Sequence, residues 1–331
     1  MIKKINSSVI GLGFGETHLK CLKKNRFTKI LKICDVNVSR KKYFERKYKA
    51  DFTKKYKEIT NDKDINLITI ATYDDSHFKI LKESIKTKKN IFVEKPICQT
   101  LKQLNEIKSL LKKNKKIFFS TNMVLRNHPK FKKIHRIVKS GKIGKIFHIE
   151  GEYNYGRFEK ILCGWRGRIK NYSVTQGGGI HIIDLIQWYV GKKIEKVIGI
   201  DNNINSKMSS FINSDTTTAL LKFKSGVTAK ITSNFPIKTF HHHVLNIHGT
   251  KGSIFSSHED LVVHTLTKKN KKREKINFKK DKNYKFGVLD NFIYHILGKK
   301  KPLFTKNTIF NNMEIAFAID RSLKTKKWEK V

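Results

Sequence analysis

Short apolar runs alternate with helical patterns through the N-terminal part of the chain. These runs lie at residues 9–12, 30–34, 67–71, 91–93 and 117–119. Nearly continuous apolar strands that are separated by helices are typical of a parallel sheet covered on both faces. The pattern therefore predicts an α/β domain built on a doubly wound parallel sheet.

One helix in this part is marked by its capping residues. Thr100 is followed three residues later by Gln103, and an apolar stripe continues at Ile107 and Leu111. In a capping box each polar side chain accepts a hydrogen bond from the other residue's backbone N–H. We therefore expect a helix over about residues 100–113.

The pattern changes after about Asn122. Helices are expected over residues 131–138 and 180–190, and β-hairpins where residues 216–223 pair with 227–235 and residues 243–248 pair with 253–256. Consecutive antiparallel strands with few helices indicate an α+β domain with an open, mainly antiparallel sheet. We predict two domains, residues 1–122 and 123–331, with a solvated loop in the lysine-rich stretch 268–280.

Length and composition agree with two domains and narrow the class of protein. The 331 residues, 38% of them hydrophobic, suffice for two cores of roughly 150 residues each. No run approaches the roughly 18 apolar residues of a membrane helix. The four cysteines are scattered, without the spacing of a zinc site. We expect a cytoplasmic protein with reduced thiols, no metal and no membrane partner.

The net charge of +44 first suggests nucleic-acid binding. The lysines, however, occupy almost every predicted solvent-facing surface instead of one element, and no nucleic-acid-binding motif accompanies them. We therefore expect no nucleic-acid partner. A diffuse positive field still raises the encounter rate with anionic small molecules, which weakly favours a charged substrate.

The first predicted strand runs into Gly11-Leu12-Gly13-Phe14-Gly15. Glycines between a strand and a helix allow a tight turn and a close approach of backbone N–H groups to a pyrophosphate. Glu16 stands where the third glycine of this fingerprint is expected, so the close helix–strand contact either falls to Gly15 or is looser. An ordinary tight turn is the alternative interpretation.

The second predicted strand ends at Asp35, roughly 20 residues past the glycines, where a carboxylate can accept hydrogen bonds from the adenosine ribose. This position favours NAD as the cofactor. Arg40 follows closely enough to bind a 2′-phosphate, which leaves NADP open.

A lysine follows the strand at residues 91–93, within Glu94-Lys95-Pro96. The carboxyl ends of parallel strands form the ligand crevice of such a sheet, and a lysine there can orient a substrate hydroxyl or relay its proton. Pro96 restricts the backbone and is compatible with a cis peptide bond. A solvated lysine is the alternative in so lysine-rich a chain.

These elements together resemble the Gfo/Idh/MocA oxidoreductases. The resemblance rests on the glycine turn, Asp35, Ile70-Ala71-Thr72 with His77, and Glu94-Lys95-Pro96. It continues through Asn122, Arg126, Pro129, Trp165, Arg166, Gly177-Gly178-Gly179 with His181 and Asp184, and Gly249-Thr250-Lys251-Gly252. It implies a Rossmann domain followed by an open-sheet α/β domain, NAD or NADP as the hydride carrier, and sugars, cyclitols or nucleotide sugars as substrates.

The resemblance also implies roles for particular residues. Lys95 takes the place of the catalytic lysine and His181 that of the active-site histidine. Cofactor contacts are expected from Gly11, Gly13, Phe14, Gly15, Asp35, Arg40, Thr72, His77, Glu94, Lys95, Pro96 and Asn122. Substrate contacts are expected from Lys95, Arg126, Tyr153, Trp165, Arg166, His181 and Asp184.

One position departs from the family pattern. Many members carry an aspartate four residues before the histidine, and this chain has Gly177 there. His181 alone, with an ordinary pKa of about 6.5, can still act as acid and base near neutral pH. Asp184, three residues after His181, either completes the proton relay or is a structural hydrogen-bonding group; we favour the structural role.

Two further clusters invite a functional interpretation. The polar and aromatic residues Tyr153, Tyr155, Arg157, Trp165, Arg166 and Tyr172 suit a sugar ring or a phosphate, although several of them are expected only to pack. The run His241-His242-His243 suggests a metal, but adjacent strand residues point to opposite faces, so at most two rings converge. We expect no metal site.

The predicted function is hydride transfer between a nicotinamide and a secondary alcohol or ketone of a sugar or nucleotide sugar, with surface-polysaccharide sugar biosynthesis as a setting. The alternatives are a cyclitol dehydrogenase and a dinucleotide-binding protein without dehydrogenase activity, the latter motivated by Gly177. A homo-oligomer that forms through the C-terminal sheet is expected.

Overall fold

The computed structural model describes residues 4–207, 209–267, 270–278, 281 and 283–331. The chain divides into two compact units. The first comprises Met1–Val124 and Asn283–Asn311, and the second comprises Leu125–Lys282 and Asn312–Val331. The first boundary lies near the predicted one. Residues 283–311 group with the first unit, whereas the sequence-based division places them in the second domain.

The first unit alternates strands and helices from its start. In chain order its elements are β1 (Ile5–Ile10), α1 (Gly15–Lys24), β2 (Thr28–Cys34), α2 (Lys41–Tyr48), β3 (Asp51–Thr53), α3 (Tyr56–Thr60), β4 (Leu67–Ile70), α4 (His77–Lys86), β5 (Asn90–Val93), α5 (Leu101–Lys113) and β6 (Phe119–Thr121). Among the described residues they form a six-stranded sheet of order β3-β2-β1-β4-β5-β6, in which all pairs are parallel. The predicted doubly wound parallel sheet is confirmed.

The departures from prediction in this unit are small and have local causes. Strand β3 and helix α3 are too short and polar to give an apolar run. Strand β6 begins two residues later than predicted, because the N–H of Ile117 closes a turn onto the carbonyl of Asn114 at 3.1 Å. Thr100 caps α5 by accepting a hydrogen bond from the Gln103 N–H at 3.2 Å. Gln103 reaches back to the N–H of Gln99, at 2.9 Å, and not to that of Thr100 as predicted.

The second unit is dominated by a large mixed sheet. The remaining elements in chain order are α6 (Pro129–Lys139), β7 (Ile146–Asn154), α7 (Glu159–Leu162), α8 (Ile180–Val190), β8 (Ile194–Asn202), β9 (Thr216–Phe223), β10 (Thr228–Asn234), β11 (His242–Gly249), β12 (Gly252–Ser256), β13 (Leu261–Thr267), β14 (Asn270–Lys275), α9 (Gly287–Ile296), α10 (Lys306–Thr325) and β15 (Glu329–Lys330). Of these, α9 and residues 306–311 of α10 belong to the first unit.

The strand order of the second sheet, within the described ranges, is β14-β13-β12-β11-β7-β10-β9-β8-β15. Among the described strands only the β7–β10 pairing is parallel, and the other pairings are antiparallel. Both predicted hairpins form. The predicted loop at 268–280 is wrong for residues 270–275, which form edge strand β14. Edge strands often carry lysines because their charge prevents pairing with a strand of another chain. The lysines replace the apolar residues by which a strand is predicted from sequence. Residues 268, 269, 279 and 280 lie outside the described residues.

Helix α8 packs on this sheet at a strand glycine. A Cβ on Gly151 of β7 would overlap Ile182 and lie 3.5 Å from Ile186 Cδ1. The glycine therefore lets the helix approach the strand closely, and nearly every side of α8 is buried. This packing fixes the height of His181, at the start of α8, above the sheet. None of the described helices is long and apolar enough to cross a membrane.

Candidate functional site

Two glycines of the turn after β1 allow close approaches, one to backbone and one to a side chain. Gly11 has φ +89°, and a Cβ there would lie 2.6 Å from the carbonyl carbon of Ala71 and from the nitrogen of Thr72. A Cβ on Gly15 would lie 2.9 Å from Val9 Cγ1. Gly15 therefore supplies the close helix–strand contact of the fingerprint. Of the two alternatives left open by Glu16 at the third-glycine position, the structure has the contact at Gly15 and not a looser one.

The middle of the turn is open. A Cβ on Gly13 would meet no other atom of the described chain within 4 Å, and Phe14 beside it is 43% exposed. Helix α1 begins at Gly15 without a side-chain cap from any described residue. An uncapped helix N-terminus that follows an open glycine turn suits a pyrophosphate, so these residues fit the diphosphate of a dinucleotide.

Asp35 lies at the carboxyl end of β2, beside this turn. Its Oδ2 accepts a hydrogen bond from the Leu12 N–H at 2.6 Å, and its Oδ1 accepts one from the Asn37 N–H at 2.8 Å. The carboxylate is therefore held at the turn by two backbone donors. Each carboxylate oxygen has further lone-pair capacity, which fits the predicted contact with ribose hydroxyls.

Glu16 binds Arg40, which immediately precedes α2, and Lys47 of α2. Its carboxylate lies 3.2 Å from Arg40 Nη2 and 2.9 Å from Lys47 Nζ, and it accepts a hydrogen bond from the Tyr43 hydroxyl at 3.2 Å. Arg40 also lies over the Tyr43 and Phe44 rings, 4.7 Å from each centroid. Burial acts to raise the pKa of Glu16, but the hydrogen bonds from Lys47 and Arg40 outweigh it and lower that pKa. Arg40 is thus already paired with a carboxylate.

Glu94 joins three elements beneath the carboxyl edge of the sheet. Its Oε1 lies 3.0 Å from His18 Nε2, on α1, and 2.6 Å from Asn122 Nδ2, after β6. Burial acts to raise the pKa of Glu94, but the hydrogen bonds from His18 and Asn122 and the charge of Lys95 hold it below its usual value. The predicted cofactor residues Glu94 and Asn122 therefore bind each other. Sequence reasoning missed His18, whose only signal is its place on the helix after the glycine turn.

His77 ties the turn after β4 to the Lys95–Pro96 peptide. Its Nδ1 lies 2.7 Å from the Pro96 carbonyl oxygen and its Nε2 lies 3.1 Å from that of Thr72. The Lys95–Pro96 peptide bond is cis, in agreement with one of the expected geometries. His77 is completely buried, so its place here is between two backbone segments. Lys95 itself is partly exposed at the carboxyl end of β5.

In the second unit, Arg126 and Asp184 form a buried pair. Arg126 donates from Nε and Nη2 to the two carboxylate oxygens at 2.8 and 2.7 Å, and Asn312 Nδ2 donates to Oδ1 at 2.7 Å. The side chains are 7% and 1% exposed. Three hydrogen bonds to one buried carboxylate support the structural role that we favoured for Asp184. Sequence reasoning did not anticipate Asn312, which is distant in the chain.

His181 lies at the start of α8 among aromatic rings. Tyr153 stacks on it with centroids 6.0 Å apart and an interplanar angle of 18°. The rings of His241 and His243, two residues apart, contact each other edge to face with centroids 4.8 Å apart, as strand alternation predicts. Burial lowers the pKa of His243 well below its usual value, and the neighbouring His241 and His181 add to this. No group of three possible metal ligands occurs among the described residues.

The predicted polar-aromatic stretch splits into packed and partly exposed parts. Tyr153, Tyr155 and Tyr172 are buried, and Tyr155 stacks on Phe235 at 4.8 Å. Their rings pack the interior of the unit. Trp165 and Arg166 are partly exposed, with the Arg166 guanidinium 4.3 Å from the Trp165 ring centroid. This pair keeps a surface on which a sugar ring can stack.

A π-helical turn, Thr175–Gly179, leads into α8. Asp320 of α10 anchors it, because its carboxylate accepts hydrogen bonds from the Ser173 hydroxyl at 2.8 Å and from Gln176 Nε2 at 2.6 Å. Burial raises the pKa of Asp320 to about 6, against the opposing effect of those hydrogen bonds. The glycines of the turn meet neighbouring side chains directly: a Cβ on Gly178 would lie 2.9 Å from Phe235 Cε2.

Two family models match the chain. The GFO/IDH/MocA model, an oxidoreductase family with an NAD-binding Rossmann fold, matches residues 5–122. The model of the GFO/IDH/MocA C-terminal domain matches residues 131–255. Among curated proteins, the uncharacterized oxidoreductase YrbE of Bacillus subtilis is 26% identical over 261 residues, 76% of this chain and 74% of that protein. Myo-inositol 2-dehydrogenase of Thermotoga maritima is 26% identical over 270 residues, 78% of this chain and 77% of that protein.

Solved structures share the fold over the whole chain. Levoglucosan dehydrogenase in complex with NADH and levoglucosan superposes with a TM-score of 0.88 at 18% identity, covering 99% of this chain and 100% of that one. Myo-inositol 2-dehydrogenase of Lactobacillus plantarum gives 0.86 at 20% identity, with 99% and 100% covered. With both family models matched in order, this chain belongs to the GFO/IDH/MocA family of oxidoreductases, and its N-terminal domain is an NAD-binding Rossmann domain.

Proposed function

We propose that this protein is an NAD-dependent dehydrogenase or reductase that interconverts a secondary alcohol and a ketone on a sugar or nucleotide sugar. The observation that carries the proposal is the place of Lys95. It follows β5 at the carboxyl edge of the same parallel sheet whose glycine turn and Asp35 fit a dinucleotide. A lysine at that edge can reach the oxygen of a substrate carbon that reacts with the cofactor.

The chemistry divides between two side chains. In the oxidative direction the substrate would lose a hydride to a bound nicotinamide and a proton to a base of the protein. The role proposed for Lys95 is to hold and polarise a substrate oxygen, and the role proposed for His181 is to accept the proton and, in the reductive direction, to return it. A bound nicotinamide supplies the hydride chemistry, while the protein supplies orientation and electrostatics.

The cofactor assignment rests on residues of the first unit. The open turn at Gly13 would hold the diphosphate, and Asp35 would hold the adenosine ribose. Arg40, the residue that left NADP open, is paired with Glu16, which favours NAD over NADP. Contacts of Thr72, His77 and Asn122 with the cofactor stay predictions; in the structure these residues shape the edge of the sheet.

The substrate class is drawn from the relatives and from charge. Relatives of this chain are named as inositol 2-dehydrogenases and as a D-xylose dehydrogenase, so a polyhydroxylated ring is the common feature. The chain's net charge of +44 favours an anionic version of such a ring. We therefore place nucleotide sugars first, with surface-polysaccharide sugar biosynthesis as the setting, and cyclitols second.

In the decisive experiment the purified protein is incubated with NAD⁺ and with panels of free sugars, cyclitols and nucleotide sugars. The absorbance of the reduced nicotinamide measures turnover. Turnover of a nucleotide sugar supports the first candidate, and turnover of cyclitols alone supports the second. NAD⁺ binding without turnover of any panel member supports the dinucleotide-binding protein that lacks dehydrogenase activity.

The assignment of Lys95 has its own test. Lys95→Ala is expected to retain NAD⁺ affinity, measured by calorimetry, and to lose turnover. Lys102→Ala, at an exposed lysine of the same unit, is the matched control and should retain both. Normal turnover by Lys95→Ala would show that Lys95 has no role in the reaction.

Self-association through the second sheet is part of the proposal. Ile200, Leu220 and Phe255 share one face of that sheet and are 69%, 48% and 38% exposed. Exposed apolar residues on one open sheet face are typical of a surface that pairs with another copy. We expect light scattering to show an oligomer of the wild type, and Leu220→Lys to weaken it. A monomeric wild type would contradict this.

The cellular compartment is proposed to be the cytoplasm. All four cysteines are free, including the exposed Cys163, which agrees with a reducing compartment. Fractionation of cells that produce the tagged full-length chain tests the assignment, and recovery of the protein outside the cytoplasmic fraction would contradict it.

A further inference from the structure

Two buried histidines of the first unit bind the residues on either side of Lys95. His18 Nε2 lies 3.0 Å from Glu94 Oε1, and His77 Nδ1 lies 2.7 Å from the carbonyl oxygen of Pro96. The two histidines are 2% and 0% exposed. His18 belongs to α1 and His77 is the first residue of α4. The residue before Lys95 is therefore tied to one helix and the residue after it to another.

The bond between His18 and Glu94 has a defined direction. Burial acts to raise the pKa of Glu94, but the hydrogen bonds from His18 and Asn122 outweigh it and lower that pKa. An ionised carboxylate only accepts hydrogen bonds, so His18 Nε2 donates. The other ring nitrogen, Nδ1, is buried without a hydrogen-bond partner among the described residues. The ring also packs edge-on against Phe92 of β5, with centroids 5.3 Å apart. One nitrogen of one fixed ring thus holds Glu94.

His77 holds the other side of Lys95 with the other ring nitrogen. Its Nδ1 faces the Pro96 carbonyl, and its Nε2 lies 3.1 Å from the carbonyl oxygen of Thr72, in the turn after β4. A carbonyl oxygen only accepts, so the Pro96 bond needs a proton on Nδ1. Strands β4 and β5 are paired neighbours. His77 therefore joins the main chain after Lys95 to the turn that follows the adjacent strand.

Packing alone does not account for so many buried polar groups beside one lysine. A buried polar side chain costs desolvation free energy that an apolar side chain of similar size does not. Hydrogen bonds from a supporting layer of residues do, however, fix a functional group more narrowly in direction than apolar contacts do. Lysine has a long flexible side chain, so the direction in which its ammonium group is presented depends strongly on how firmly its main chain is held.

We propose that His18 and His77 are positioning residues for Lys95, which hold the main chain before and after it so that its side chain leaves the carboxyl edge of the sheet in one direction. This inference rests on the role proposed above for Lys95. Both histidines act through the main chain beside Lys95, His18 by way of Glu94 and His77 by way of Pro96.

The two ring nitrogens have separate mimics, which give a crossed test. The side-chain amide nitrogen of asparagine takes about the place of Nδ1, and that of glutamine takes about the place of Nε2; both are donors. His77→Asn therefore keeps a donor for Pro96, whereas His77→Gln loses it. At residue 18 the order is reversed, because His18→Gln keeps the donor for Glu94 and His18→Asn loses it.

Hydrogen exchange of residues 93–97, followed by mass spectrometry on the folded protein, needs no substrate. His77→Gln and His18→Asn should raise exchange of this segment by about 10-fold, because loss of a buried hydrogen bond eases local opening. His77→Asn and His18→Gln should stay close to wild type.

The control is His295→Gln, which removes a contact between Nδ1 and the Lys300 carbonyl elsewhere in the first unit and should leave residues 93–97 unchanged. A histidine whose Asn and Gln variants exchange alike is not a positioning residue, and the same result at both positions would overturn the inference.

Turnover gives a second test once the panel has identified a substrate. His77→Gln and His18→Asn should lower kcat by about 10- to 100-fold, as a displacement of about 1 Å of a reacting group can do, with the KM for NAD⁺ nearly unchanged. His77→Asn and His18→Gln should keep most of kcat. A raised KM for NAD⁺ with unchanged kcat in His77→Gln would assign His77 to the cofactor and contradict its role towards Lys95.

The failure of this inference is distinguishable from that of the proposed function. Normal turnover by Lys95→Ala would show that Lys95 has no role in the reaction, and the inference would fail with it. If Lys95→Ala is inactive while the variants at His18 and His77 all have wild-type kcat, only the inference about the two histidines is wrong.

Discussion

Glu16 and Arg40 face each other between α1 and α2, with Arg40 Nη2 3.2 Å from Glu16 Oε2. The residue that interrupts the glycine fingerprint is thus paired with the residue that would bind a 2′-phosphate. A carboxylate here both occupies the guanidinium and repels a further anion. We therefore expect the pair to act on cofactor preference.

We expect Glu16→Gln to raise affinity for NADP⁺ by about 3- to 10-fold, equivalent to about 1 kcal/mol, and to change NAD⁺ affinity little. Calorimetric titration with each dinucleotide measures both. Adding Arg40→Ala to Glu16→Gln should abolish the gain. Equal changes for the two dinucleotides would show that the pair does not discriminate between them.

Gly11 and Gly13 should fail in different ways when replaced by alanine. Gly11→Ala strains a left-handed φ and meets the backbone of Ala71, so we expect a loss of at least about 2 kcal/mol in the free energy of unfolding. Gly13→Ala meets no described atom and should keep its stability while NAD⁺ affinity falls, because its methyl group takes the space of the diphosphate. Denaturant unfolding measures the first effect and calorimetry measures the second. Unimpaired NAD⁺ binding by Gly13→Ala would contradict the placement of the diphosphate at this turn.

Asp320 should make the second unit less stable as pH rises. Its folded pKa of about 6 lies above the usual 3.8, so the folded state binds the proton more tightly, and stability falls as pH rises from about 4 to 6. Relative to wild type, Asp320→Asn should gain up to about 3 kcal/mol in the free energy of unfolding between pH 4 and pH 7. Urea unfolding at the two pH values measures the gain.

Asp62 is the matched control for this pH dependence. Its pKa is lowered, first by the hydrogen bond from Lys32, so its ionised form stabilises the folded state above the usual pKa, and that stability is lost as pH falls. Because that loss lies mostly below the usual pKa of 3.8, Asp62→Asn should change little relative to wild type between pH 4 and pH 7, whereas Asp320→Asn gains stability. The same trend in both variants would exclude Asp320 as the source.

The Arg126–Asp184 pair predicts a large cost for removing one partner. Arg126→Met leaves a buried carboxylate that keeps the hydrogen bond from Asn312 but loses its ion pair, and we expect a loss of about 3–5 kcal/mol in the free energy of unfolding. Arg126→Met with Asp184→Leu should recover most of it. Glu106→Gln, which breaks the surface pair with Lys82, should cost less than about 1 kcal/mol. A similarly small cost for Arg126→Met would mean that Asp184 is not held by this ion pair.

Much of the first unit follows from sequence. Apolar runs located β1, β2, β4 and β5, and the glycines with Asp35 located the dinucleotide turn, because these signals are local in the chain. The same local signals did not predict β3, which is short and polar. They also did not predict β14, because its lysines give this edge strand the composition of a solvated loop. Both family models match the chain, so the family resemblance is confirmed. The roles that the resemblance implies for Lys95 and His181 stay predictions.

What the sequence by itself determined, then, is the alternation of strands and helices, the glycine turn and the candidates Lys95 and His181. Only the tertiary structure decided the partners: Glu16 with Arg40, Glu94 with His18, Asp184 with Arg126, and Tyr172 against Gly177. The physical reason is that periodicity and turn chemistry act between neighbours along the chain, whereas the charge and hydrogen-bonding state of a buried side chain depend on which distant residue the fold brings against it.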